Sequence, residues 1–259
     1  MHFHLPKPLH GWRQLIGEVG IIVVGVLIAL SAEQLVEEWR WKQRTDEARQ
    51  GIRAELAQDA GVFDERTINK PCLLLYYSEV GHVLKAALAS GRIGKISLFT
   101  PIATRPITTA AWDAALADGT ASHFPAAERQ KLAVIYSVVA DYRRQLDEEW
   151  RLSRHLKIIE NSRGEFSGTM LADIYSNAPE IGYRNMLTTA YAEQQLSTIR
   201  NMGIAPAYES VLGQPGTRAE LVRLERSEGG ALPNCTPVTV DGKPVPIPRD
   251  GPGPPFFAF

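Results

Sequence analysis

The chain has little of what usually announces a chemistry. Among its 259 residues there are only two cysteines, Cys72 and Cys235, too few for a disulfide-rich scaffold or a four-thiolate zinc site. Neither charge is in excess: 28 Lys and Arg stand against 29 Asp and Glu, a net charge of −1. The basic footprint that nucleic acid demands is therefore missing, and no nucleic acid is expected as a partner. No HExxH, CxxC or dinucleotide-type glycine fingerprint occurs. The run Gly91-Arg92-Ile93-Gly94-Lys95-Ile96 approaches a phosphate loop, but Ala89 takes the place of its leading glycine and Ile96 that of its hydroxyl residue. In Gly164-Glu165-Phe166-Ser167-Gly168 the serine is out of place for a nucleophile elbow. These absences lead us to expect no cofactor and no enzyme of a recognisable type.

What the sequence does have is one long apolar run. Val19 to Ala32 is hydrophobic throughout, and it extends to Leu15 if Glu18 is admitted. At about 1.5 Å per residue, 15–32 reaches roughly 27 Å, the thickness of a bilayer's hydrocarbon. The core helix of a soluble protein is a poorer reading, because the run lacks a polar stripe. A cleaved signal peptide is the stronger rival: Lys7 and Arg13 form a basic leader, and Ala29-Leu30-Ser31 resembles a small-x-small cleavage site. The following EQLVEEWRWKQRTDEARQ favours an uncleaved anchor, since it continues helix-forming sequence without a turn. Arg40, Lys42, Arg44 and Arg49 beyond the run argue for a cytoplasmic body, whereas long domains translocate largely regardless of such counts. The orientation adopted is N-terminus inside, with the body on the far side.

Within the span, Glu18 lies near one end, where a carboxylate either serves a function or snorkels to the headgroups and pairs with Gln14. Gly25 and Ala29 form a small-xxx-small pair that lets two helices approach. These three residues are the candidate membrane-helix contacts.

The block Gly17-Glu18-Val19-Gly20-Ile21-Ile22-Val23-Val24-Gly25-Val26-Leu27-Ile28-Ala29-Leu30, followed by Glu37-Glu38-Trp39, resembles the N-terminal signature of an uncharacterised family of bacterial single-pass membrane proteins. Many members carry an Asn-rich stretch after the span, where this chain has Ser31-Ala32-Glu33-Gln34-Leu35-Val36. The resemblance covers the first 60 or so residues well and the rest loosely. It implies an anchored helical protein and supplies no catalytic residues; with the orientation adopted above, the localisation expected is a bacterial inner membrane, single-pass, with the body in the periplasm.

Behind the anchor, Leu35, Val36, Trp39, Ala48, Ile52, Leu56, Ala60 and Phe63 recur near helical spacing and predict a long helix with one apolar stripe. Pro71 is expected to break it, with a second helix over Cys72–Ser90 stopped by Gly91. Arg92 to Ile107 reads as a loop, and Thr108 or Thr109 as the cap of a short helix that ends at Asp118-Gly119. After Pro125, Leu132, Ile135, Val139, Tyr142 and Leu146 step by 3, 4, 3 and 4. That seam fits a bundle or a short coiled-coil contact and is a candidate partner surface; it breaks near Glu149 and Ser153, which argues against an extended coiled coil. A further helix is predicted from Pro179 to about Met202, packed through Met186, Leu187, Ala190, Tyr191 and Leu196. Thr217 with Glu220 forms a capping box for a last helix through Leu224. From Gly229 on, prolines dominate, and Asp241-Gly242 marks one small hairpin limited by Pro244 and Pro246.

The fold class expected is therefore all-α: an N-terminal transmembrane helix continuing into a helical bundle, with a Pro-rich C-terminal tail. Its segments are a basic 1–14, a transmembrane 15–32, a bundle domain 33–228 and a tail 229–259. Cys72 and Cys235 lie 163 positions apart. Bonded in an oxidising compartment they staple the tail to the bundle, with a loop-entropy effect on the order of 4–5 kcal/mol. Two unrelated thiols are the alternative, Cys72 being buried as a small hydrophobe. Glu79-Val80-Gly81-His82 has the one-turn spacing of a bundle metal pair but no second pair to complete it, and the histidines at 2, 4 and 10 read as solvated. The terminal Phe256-Phe257-Ala258-Phe259 either packs on the bundle or is captured by a groove.

Function is expected from surfaces rather than chemistry. The leading expectation is a membrane-anchored interaction or assembly module, with the lipid bilayer and a protein partner or second copy as its partners. The alternative is a helical bundle that senses a small molecule through a pocket near Trp112, Tyr142 or Trp150 and signals through a separate protein.

Overall fold

The computed structural model describes residues 12–98, 105–160, 164–165, 167–225 and 237–245. It is an all-α protein built around one very long helix, α1 (Trp12–Ser90). Three further helices pack on it or cap it: α2 (Ala110–Ala117), α3 (Ala126–Glu160) and α4 (Gly168–Asn201). Two short ones, α5 (Glu209–Leu212) and α6 (Arg218–Glu225), close the other side. The most extensive packing is of α1 on α4 and of α4 on α3.

Pro71 does not end the first helix; α1 runs through it. The ring removes the N–H that would bond the Thr67 carbonyl, at a cost of about 3 kcal/mol, but Pro71 lies on an exposed face. Phe63, Leu73, Tyr76 and Tyr77 on either side are 3% exposed or less, so burial outweighs the local defect. The same correction applies to α4, which starts at Gly168 rather than at Pro179. Ser167 caps it by accepting the Met170 N–H at 3.2 Å, and Leu171, Ile174 and Ala178 bury the extra turns.

The single apolar stripe expected on α1 is also corrected. From Asp59 to Arg66 every residue is buried, because α1 is the axis of the body. Its charged residues there are held by partners from the surrounding elements. Asp64 accepts from the Tyr208 hydroxyl at 2.7 Å and from Arg218 Nε at 2.8 Å, and Glu65 pairs with Arg105 at 3.2 Å. Gly61 is required: a Cβ there would meet the Ala207 carbonyl oxygen at 1.9 Å, where the Ala207 N–H bonds the Ala57 carbonyl at 2.7 Å.

Several turn signals are met as read. Gly91, with φ of +67°, ends α1. The short helix α2 lies between Thr109 and Asp118. The Thr217–Glu220 box closes reciprocally, Thr217 N–H to Glu220 Oε2 at 2.6 Å and Glu220 N–H to Thr217 Oγ1 at 3.3 Å. The loop after Gly91 is more ordered than expected: β1 (Arg92–Ile93) pairs antiparallel with β3 (Gly164–Glu165), and β2 (Ile96–Ser97) with the tail strand β4 (Thr239–Val240). Asp241 and Gly242, at φ of 51° and 77°, turn β4 into β5 (Lys243–Pro244). Pro244 sits on the sheet's edge strand, the place that tolerates a missing donor.

Candidate functional site

Burial divides α1 sharply. Ile21, Val24, Leu27 and Ile28 are 75, 55, 57 and 64% exposed, and the first buried residue is Thr45. Among the described residues this is the one helix long and apolar enough to cross a membrane, and none of its apolar window is buried by the body. Glu18, Gly25 and Ala29 all lie on this bare portion. Leu35, Val36 and Trp39 continue the exposed apolar surface beyond it, at 67, 48 and 65%. Trp41 is the first side chain to meet the body, stacked on His123 with ring centroids 3.8 Å apart.

The five seam residues of α3 have the opposite fate. Leu132, Ile135, Val139, Tyr142 and Leu146 are between 0 and 8% exposed and belong to the chain's own core, so they offer no surface to a partner. Nor does the seam break. Glu149 and Ser153 continue its 3-4 stepping and are buried at 0 and 2%, followed by Leu156. Glu149 accepts two bonds from Arg66 Nη2, at 2.8 and 2.9 Å, and one from Asn185 Nδ2 at 2.7 Å. Arg66 also donates to Thr189 Oγ1 at 3.1 Å. This network joins α1, α3 and α4. It explains why the packed face of α4 runs through Ile181, Asn185, Thr188, Thr189 and Ala192; of the predicted face Leu196 is buried and Tyr191 packs against the core, while Met186 is 49% exposed. Burial and the Glu149 carboxylate both push the Tyr77 phenol up.

A second polar cluster fastens α2. Glu55 accepts from Tyr136 Oη at 2.7 Å, Thr108 Oγ1 at 3.0 Å and the Ala111 N–H at 2.9 Å. One turn on, Asp59 accepts the Thr108 N–H at 3.4 Å, while its Oδ2 is buried without a partner. Burial is the main reason that the Asp59 carboxyl is pushed up to about 7. Trp112 stacks on Tyr136 at 5.5 Å and Tyr142 meets Phe63 edge-on at 5.0 Å, so both are core. Of the three aromatic candidates Trp150 borders a cleft, with Arg105 and Arg143.

An open cleft lies at the far end of α1. His82, Val83, Ala86, Ala87 and Ser90 form one wall; Arg92, Ile93 and Gly94 turn the corner; and Val240, Lys243, Pro244 and Val245 of the tail form the other, enclosing about 380 Å³. The hairpin is fixed by backbone. Asp241 N–H bonds the Lys95 carbonyl, and Lys95 N–H bonds Asp241 Oδ1, both at 2.8 Å. Gly94 is needed at this contact, since a Cβ would meet Val240 Cγ1 at 2.7 Å. Val238, fully buried, donates its N–H to Glu79 Oε2 at 2.7 Å. Burial raises the Glu79 carboxyl and that N–H draws it partly back. Glu79 therefore holds the tail while His82 faces the cleft, and the pair does not converge on one point. Among the described residues no group of three or more metal-ligating side chains is assembled.

Cys72 is 1% exposed on α1 and is disulfide-bonded; Cys235 lies outside the described residues. The histidines at 2, 4 and 10 and Phe256–Phe259 also lie outside them. Sequence reasoning missed Arg92, Lys243, Arg66 and Asn185. A charged residue in register with a seam, as Glu149 is, was the available signal for the buried network. Compared with family models, curated proteins and solved structures, the chain matches none.

Proposed function

We propose that the chain is a single-pass membrane-anchored α-helical interaction or assembly module. One observation carries this reading: the bare apolar portion of α1 and the axis of the folded body are a single uninterrupted helix. An apolar stretch this long, left wholly uncovered by its own body, is matched by lipid rather than water. The stalk between them, with Leu35, Val36 and Trp39 exposed, is the surface on which a partner or second copy acts, since the α3 seam is occupied. In this reading the likeness of Gly17–Leu30 to the uncharacterised bacterial family holds, and the membrane is a bacterial inner membrane. A disulfide at Cys72 favours the periplasmic side for the body, because disulfides persist in oxidising compartments. No catalysis is assigned.

The test is alkaline carbonate extraction of membranes carrying the full chain with an N-terminal tag. Retention of a tagged chain in the pellet is expected. Val24→Lys with Leu27→Lys should release it, each lysine adding about 3 kcal/mol to insertion. A wild-type chain washed off, or one that loses its tag, overturns the anchor. Crosslinking from Val36→Cys then reads the module: an adduct with a second copy or a partner is expected, and none at positions 35, 36 and 39 removes the interaction surface.

A second reading, a ligand-sensing bundle that works with a separate signalling protein, is favoured by the cleft between α1 and the tail hairpin.

A further inference from the structure

We propose that this cleft binds a small, water-soluble amphipathic anion: a compact acyl or aryl group bearing one carboxylate. The inference rests on the ligand-sensing reading of the body and is independent of the anchor. The floor is apolar, made by Val83, Ala87, Ile93 and Val240, and suits a hydrocarbon or aromatic body. Every ionisable side chain described on its wall is of the basic kind, His82, Arg92 and Lys243, and none is a carboxylate. An anionic head is therefore matched on several sides and a cationic one is opposed.

Of the three, Arg92 stands opposite Glu165 in the β1–β3 register, so the selective charge rests on Lys243, with His82 on the facing wall as a hydrogen-bonding group. Lys243 is delivered by the tail hairpin and His82 by α1, so the site exists only when the tail is docked. The volume, about 380 Å³, is at the lower end of small-molecule sites. Location decides the source of the ligand. His82 lies 50 residues beyond Ala32, roughly 75 Å of helix, so a lipid seated in the bilayer that holds 15–32 does not reach it.

The full chain in lipid nanodiscs, titrated with 4-(trifluoromethyl)benzoate and followed by fluorine NMR, tests the proposal. Empty nanodiscs and the neutral 4-(trifluoromethyl)benzamide are the controls. Saturable binding of the carboxylate is expected, at least tenfold tighter than the amide. Lys243→Glu, on an exposed edge strand, should weaken it at least tenfold. Ala86→Trp, at an exposed helix position on the cleft wall, should abolish it with an unchanged melting midpoint. Binding of both probes equally, lost in Ala86→Trp, leaves the ligand-sensing reading standing and overturns the anion. Binding that survives Ala86→Trp, or no saturable binding by the wild type, overturns the site itself.

Discussion

Residues 12–44 and 45–90 are two halves of one helix with opposite surroundings, the first bare and the second enclosed by the body. In the first, large apolar side chains such as Ile21 and Leu35 are exposed at 75 and 67%, and the body is met near its end, where Trp41 stacks on His123. In the second, Asp59, Asp64, Glu65 and Arg66 are exposed at 6% or less and are enclosed by it. Residue character alone would have assigned the two halves the other way round. What separates them is the partner each needs: lipid for the first under the proposed anchor, a fixed set of counter-charges and hydrogen-bond donors for the second. A buried charge is tolerated only when paired, and α3, α4 and α6 bring those partners to α1.

The contrast breaks most severely at Glu149. Its replacement by alanine leaves Arg66 buried without its carboxylate, and the folded body should lose about 3–5 kcal/mol. Glu37→Ala, on the exposed half, should stay within about 0.5 kcal/mol. Urea denaturation of the full chain in nanodiscs measures both, and equal midpoints would remove the network from the account.

An apolar truncation sharpens the same comparison. Leu56→Ala, at a site 0% exposed, should cost about 2–5 kcal/mol. Leu35→Ala, at a site 67% exposed, should leave the melt unchanged and instead reduce crosslinking from the stalk. A large destabilisation by Leu35→Ala would show that the stalk packs on the body after all.

Asp59 gives the comparison a pH axis. Burial raises its carboxyl to about 7, assisted by Glu55 and opposed by the Thr108 N–H and Arg143. Above that pH the native state holds a buried charge. As pH falls through 7 toward the ordinary carboxylate range, the native state takes up a proton that the unfolded chain does not, and stability rises by at most about 4 kcal/mol. Asp59→Asn should flatten this slope between pH 8 and 5 and stabilise the protein most at pH 8. A melt whose pH dependence is the same in Asp59→Asn assigns the slope to other carboxyls. The smallest effect is expected at the edge of the body, where Thr217→Ala removes the α6 cap at about 1 kcal/mol.

Much of the fold was legible because its signals are local. Periodicity found α3, glycine stopped α1 at Gly91, the Thr217–Glu220 box placed α6, and Asp241-Gly242 placed the hairpin. Both prolines misled for one reason: their cost is local and of known size, while the burial that outweighs it is contributed by residues distant in sequence. The seam of α3 was read correctly as an apolar face fit for a bundle and wrongly as also open to a partner, since periodicity reports that a face needs covering but not what covers it. The cleft was the least legible feature. Its walls come from the end of α1, a segment read as a loop and the Pro-rich tail, and no spacing links His82 to Lys243.

The sequence by itself determined the apolar run, the helical class and the positions of the turns, because each depends on residues within a few places of one another. Only the tertiary structure decided which faces are buried, which charges are paired and where the tail lies. Those outcomes depend on partners far apart along the chain, whose proximity folding alone creates.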